Sequence, residues 1–230
     1  MHGLGPGGVS GQMTRICKVR DCGAPAASRY SPHCRRHKSV LRRQGDPDQA
    51  AIRATELAPF VRLVRLRVAR NPDSPLWGHL EDRWRGIAEE ARAVAFSALR
   101  SRHERAAAAE VMNIDADCSA QEIVVVVLAM FILWRERPAR FRSDRAFRLQ
   151  LARRVRALSG RHSGLRYDHQ TGTQKRVYRE MTPKAGAILG HKLALAFGGA
   201  GLQLAMLEER ERERTRQTVE DINQAIKELK

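Results

Sequence analysis

The residues best suited to chemistry lie near the N-terminus: Cys17, Cys22, Cys34 and His37, spaced C-x4-C-x11-C-x2-H. Three thiolates and one imidazole fill the four tetrahedral positions around Zn2+, and Cys3His is a common structural set. Cys34 and His37 are three apart, so a helix start would turn both to one side. The spacing predicts a short knuckle carrying Cys17 and Cys22, then a helix over about Pro32 to Arg43 carrying the other two ligands. The rival chemistry is a disulfide, which the lack of any secretory pattern at the N-terminus disfavours. His33 is an alternative to His37, but the helical C-x2-H geometry favours His37. Four ligands leave no vacancy for a catalytic water. The expected role of the zinc is therefore structural, folding a segment too short to build a core of its own.

A basic run follows, with Arg35, Arg36, Lys38, Arg42 and Arg43, closed by Gly45-Asp46-Pro47. C-x4-C, a small-residue linker, C-x2-H, several basic residues and Gly-Asp-Pro together resemble a small zinc module found near the N-termini of many phage and mobile-element proteins. The resemblance covers residues 15–47. It implies bound zinc, and it raises a nuclease reading because some proteins carrying the module continue into HNH endonuclease domains. An HNH site needs a His base, an orienting Asn and a His or Asp metal ligand on a ββα fold. Asp168-His169 followed by His191 matches only superficially, with no Asn between them. No paired acidic metal site, phosphate loop or Ser/Cys–His arrangement stands out. The expectation is a non-enzymatic protein with no catalytic residues.

The chain has 230 residues and a formal net charge of +17, from 42 basic against 25 acidic side chains. Such a balance favours a polyanionic partner through counterion release. Abundant Arg and Ala are also what a GC-rich genome writes everywhere, so the placement of charge matters more than its total. Aromatics at 5% imply a core of Leu, Val and Ala, as in helical proteins. Residues 1–14 read as a Gly-rich disordered tail in which Met13 is a second start, and Cys118 as a small, partly buried residue. The apolar stretch Ile123 to Trp134 is too short to span a bilayer. A cytoplasmic protein with no membrane partner is expected.

These residues must be positioned by helices. Leu57, Phe60, Val61, Val64 and Val68 predict a helix over Thr55 to Asn71, and a long stripe predicts another from Leu76 to Met112 with a stop at Asn113. Trp77 and Trp84 read as core. Ser119-Ala-Gln-Glu122 has the form of a capping box opening a buried helix, Ala120 to Arg135. Ser143 caps a helix over Asp144 to Leu158, within a segment, Arg140 to Arg161, that holds eight Arg against one Asp. A hairpin is expected from Leu165, Tyr167, Val177 and Tyr178 around Thr171-Gly172, with Asp168 opposing Lys175. Thr182-Pro183 opens a helix in which Gly198, Gly199 and Gly201 should mark a kink or break, and Leu202 to Lys230 reads as one long helix beyond them. Val219, Ile222, Ile226 and Leu229 are spaced as a coiled-coil seam.

The fold class is thus mainly α: a zinc module at 15–47, a helical domain at 55–197 with a hairpin at 165–181, and a C-terminal helix at 200–230. Helix, basic helix, then hairpin resembles a winged helix-turn-helix, although the connection Arg135 to Arg142 is longer than its usual turn. The resemblance implies duplex DNA contacts from Arg142, Arg145, Arg148, Arg153 and Arg156, with Arg166, Lys175 and Arg176 on the wing. Arg35, Arg36, Arg42 and Arg43 of the zinc module are further phosphate contacts. The expected function is a zinc-containing DNA-binding protein of a phage, plasmid or other mobile element. It would regulate transcription or serve replication or maintenance, as a homodimer through its C-terminal helix. An RNA-associated or assembly protein is the other binding reading, disfavoured by the few aromatics available for stacking.

Overall fold

The computed structural model describes residues 15–161, 164–177 and 181–228. The expected tail with Met13, and His162, Tyr178 and Leu229, lie outside the described residues, as do the side chains of residues 175–177.

The most apolar stretch sets the architecture. Ser119 caps helix α5 (Ala120–Glu136): its hydroxyl oxygen accepts from the Glu122 N–H while the Glu122 carboxylate accepts from the Ser119 N–H. Ile123 through Leu133 is buried without interruption, as expected of a helix at the centre of a bundle. Around α5 pack α2 (Ala54–Arg70), α3 (Pro75–Ala95), α6 (Asp144–Arg156) and α7 (Pro183–Glu228), with α4 (Arg102–Asp117) laid against α3 and α7. Helix α1 (Arg35–Gln44) belongs to the N-terminal module, and β1 (Gly164–Asp168) pairs antiparallel with β2 (Thr173–Val177). The chain is mainly helical, with one small hairpin and a long C-terminal helix among the described residues.

Three expectations change. The single helix over Leu76 to Met112 is two, α3 and α4, because Ser101 forms a second capping box with Glu104 and restarts the helix. Helix α4 then passes Asn113 and ends at Asp117. The break at Gly198, Gly199 and Gly201 is absent, and α7 runs unbroken for 46 residues. Its glycines allow close approach instead. A Cβ on Gly201 would stand 2.5 Å from the Phe131 ring, and one on Gly190 would overlap the Arg148 carbonyl oxygen. In the hairpin, Asp168 opposes Thr173, and Lys175 lies opposite Arg166 rather than Asp168.

Trp77 and Trp84 are core residues, their indole N–H groups donating to the Asn71 carbonyl and the Asp115 carboxylate. By length and composition alone, α7 contains a stretch that could cross a membrane; in the bundle its Leu189, Leu193 and Phe197 are fully buried. From Glu209 to Glu228 every residue of α7 is exposed. Beyond Arg212, its last ion pair with the bundle among the described residues, the helix projects by about 24 Å.

Candidate metal centre and the basic surface beside it

The N-terminal module is tied together by its backbone before any metal is considered. Ile16 bridges Pro25, the Cys17 N–H donates to the Ala24 carbonyl at 2.8 Å, and the Lys18 N–H donates to the Pro32 carbonyl at 2.9 Å. Asp21 and Gly23 take left-handed backbone angles, which turn the knuckle back so that Cys17 and Cys22 face one way. Helix α1 then starts later than the sequence suggests, at Arg35, because Cys34 is its N-cap and its sulfur accepts the His37 N–H at 3.4 Å. The third ligand therefore sits at the N-terminus of a helix.

The four ligand atoms of Cys17, Cys22, Cys34 and His37 all lie within 4.8 Å of one another. The Cys17 and Cys34 sulfurs are 3.3 and 3.5 Å from His37 Nδ1, and the Cys22 and Cys34 sulfurs are 3.9 Å apart. Tetrahedral zinc with its usual bond lengths separates two sulfurs by about 3.8 Å and a sulfur from a nitrogen by about 3.6 Å. The donor set and its spacing thus fit such an ion, with Nδ1 as the imidazole ligand. His33 is not among the four, and its buried Nδ1 has no hydrogen-bond partner among the described residues. Burial pushes the Cys17 thiol up, but the backbone of Cys34 and Val19 and the side chains of His37 and Cys22 outweigh it and bring it down to about 5. Cys22 is raised: an Ala24 backbone hydrogen bond pulls it down, but burial and the neighbouring sulfurs of Cys17 and Cys34 prevail.

The module is docked on the bundle. Gly45, at φ 92°, ends α1 in the left-handed region, and a Cβ there would stand 2.9 Å from the Ala146 Cα. The Gln150 amide, buried in α6, donates to the Gln44 side chain at 2.8 Å and accepts from the Ile52 N–H at 3.0 Å. The Gln49 side chain donates to the Arg140 carbonyl and accepts from the Arg142 N–H. Arg140 in turn holds the Ala50 and Ala51 carbonyls and pairs with Glu56 at 2.6 Å. The segment from 44 to 54 is thereby stitched to α6 and to the turn before it.

This docking brings the two predicted groups of arginines together. Arg35, Arg36, Arg42 and Arg43 of α1 are exposed, and so are Arg142 and Arg145 at the start of α6. The Arg145 carbonyl lies against Gly45, and Arg153 donates to the Arg43 carbonyl at 3.3 Å. Arg142 pairs with Asp48 at 3.1 Å, and Arg148 meets His191 at 3.4 Å. Arg156 is a correction: it is half-buried and paired with Glu110 at 3.0 Å, so it braces α6 against α4 instead of facing outward. Helix α6 also departs from an inserted recognition helix, since seven of its thirteen residues are buried. Arg166 is exposed on β1, while Lys175 and Arg176 are placed on β2 by their backbone alone. His169, exposed in the hairpin turn, and His191, on α7, join no group of metal-ligating side chains among the described residues.

Local sequence patterns do not reveal Gln49, Gln150 and Arg140 as the stitches of this surface. Their partners lie about a hundred residues away in the chain, and no short-range spacing signals such contacts. Compared with protein-family models, with curated proteins and with solved structures, the chain matches none.

Proposed function

We propose that this is a non-enzymatic, zinc-containing protein that binds duplex DNA and acts in the cytoplasm in regulation, replication or maintenance of a mobile element. One observation carries the reading. A Cys3His cluster with the spacing of a tetrahedral ion holds a helix whose exposed Arg35, Arg36, Arg42 and Arg43 lie beside exposed Arg142 and Arg145 of α6. Four exposed arginines on α1 and two at the start of α6, on helices that touch at Gly45 and Ala146, suit a phosphate backbone. The resemblance of residues 15–47 to modules of phage and mobile-element proteins supports the biological setting.

The projecting part of α7 supports a two-fold dimer. Val219, Ile222 and Ile226 are each about half exposed, on a stretch where every described residue is open to solvent. A second copy would cover the seam.

The test is fluorescence anisotropy of a labelled random duplex with zinc-loaded protein across a salt series. Affinity should fall steeply with salt, and Arg42→Gln with Arg43→Gln should flatten the slope by about one for each phosphate no longer neutralised. Salt-insensitive binding, or none, would reject the reading.

A further inference from the structure

A second cationic feature adjoins the α1–α6 junction. Helix α2 with the segment 51–53 before it, and the C-terminal half of α6 with the residues that follow, line two adjoining open concavities of about 560 and 670 Å³, which share Ala54 and Arg154. Arg62 and Arg65 line the first, and Arg53, Arg153 and Arg156 the second. No acidic side chain lines either one among the described residues. The first is floored by Leu57, Val61, Val126 and Leu158, an apolar base that strengthens electrostatic attraction above it.

Arg154 is the unusual member. Its Nη1 donates to the Ile52 carbonyl at 3.3 Å, and its Nε is enclosed with no hydrogen-bond partner among the described residues. Its neighbour Arg156 is neutralised by Glu110, whereas Arg154 forms no ion pair among the described residues. Burial first, and then the adjacent Arg153, pull the Arg154 guanidinium below its ordinary value. An arginine nevertheless stays charged in proteins, and a half-buried cation without an anion is costly. Its fork of N–H donors matches a phosphate group.

We propose that the groove between α2 and α6 is a phosphate-binding site centred on Arg154, with Arg53, Arg62 and Arg65 on its rim. The ligand is a phosphate group, carried either on a nucleic-acid backbone or on a free phosphate anion. Arg153 reaches from this groove to the Arg43 carbonyl, so the site lies next to the α1 surface. It extends the DNA-binding reading without depending on it.

The test uses the full zinc-loaded chain and two probes, inorganic phosphate by calorimetric titration and a labelled duplex by anisotropy. The variants are Arg154→Met and the exposed pair Arg62→Gln with Arg65→Gln. Losing one charge-assisted hydrogen-bonding group should weaken binding about tenfold. Weaker phosphate binding with unchanged duplex binding assigns the site to a free anion. Weaker duplex binding assigns it to the nucleic-acid backbone. If both variants bind both probes as the parent does, the site is rejected. Should Arg154→Met not fold, the exposed pair decides alone. The two readings fail separately: duplex binding abolished only by Arg42→Gln with Arg43→Gln removes the groove as a duplex contact and leaves DNA binding standing. No duplex binding, with phosphate binding that requires Arg154, does the reverse.

Discussion

At the scale of single residues, the metal centre depends on an unequal set of ligands. Against burial, hydrogen bonds from the Cys34 and Val19 backbone and from the His37 and Cys22 side chains draw Cys17 down to about 5, whereas burial and its sulfur neighbours raise Cys22. Cys34 has a further task, since its sulfur also caps α1. Cys34→Ser therefore removes a strong ligand while keeping a capping oxygen. We expect the parent to hold about one equivalent of zinc and this variant to lose it. The helical body should keep its unfolding transition, because the core around α5 contains no module residue before Ile52. Elemental analysis with circular dichroism reads both, and full zinc content in the variant would show that the site is misassigned. These four positions are legible from spacing alone, since metal coordination demands residue types at fixed separations. The choice of Nδ1 over Nε2 is not, because it depends on how the imidazole packs beside Cys17.

At the scale of elements, capping chemistry is a better guide than composition. Ser119 with Glu122, and Ser143 before α6, are readable in the sequence and are present. The same signal at Ser101 and Glu104 is masked by alanine-rich helix propensity, and it is what separates α3 from α4. Glycine misleads in the opposite direction. Gly201 weakens a helix locally, yet in α7 it admits the Phe131 ring, and the packing outweighs the unfavourable propensity. Arg67 secures the same helix lower down, pairing with buried Glu208 and with Glu211 at 2.6 Å each. Gly201→Val should destabilise the protein by about 2 kcal/mol through overpacking. Gly199→Ala, with nothing within 4 Å of its added Cβ, should stabilise by up to about 1 kcal/mol. Urea denaturation distinguishes the two, and equal effects would mean that propensity, not contact with α5, governs this stretch.

At the scale of the molecule, three parts are joined: a module with a Cys3His cluster, a helical bundle, and a helix that leaves the bundle after Glu208. The departure is braced by ion pairs between Arg135 and Glu209 at 3.0 Å and between Arg212 and Glu136. Beyond them the exposed seam has no cover among the described residues. Sedimentation should find a dimer for the parent, and Ile222→Glu with Ile226→Glu should yield a monomer with an intact bundle. A monomeric parent would remove the dimer from the reading and leave the basic surface unaffected.

What the sequence determined by itself was local. Ligand spacing, capping boxes, the uninterrupted apolar run of α5 and the hairpin turn depend on residues a few positions apart. Their chemistry is decided within a turn or two of backbone. Only the tertiary structure decided which arginines share a surface. Arg156 was diverted to Glu110, Arg153 was set against the Arg43 carbonyl, and Arg154 was left half-buried without an anion among the described residues. Those outcomes arise from contacts between segments 46 to 106 residues apart, such as Arg156 with Glu110 and Gln150 with Gln44 and Ile52. A periodic pattern shows that a helix has a charged face, but not what will lie against it.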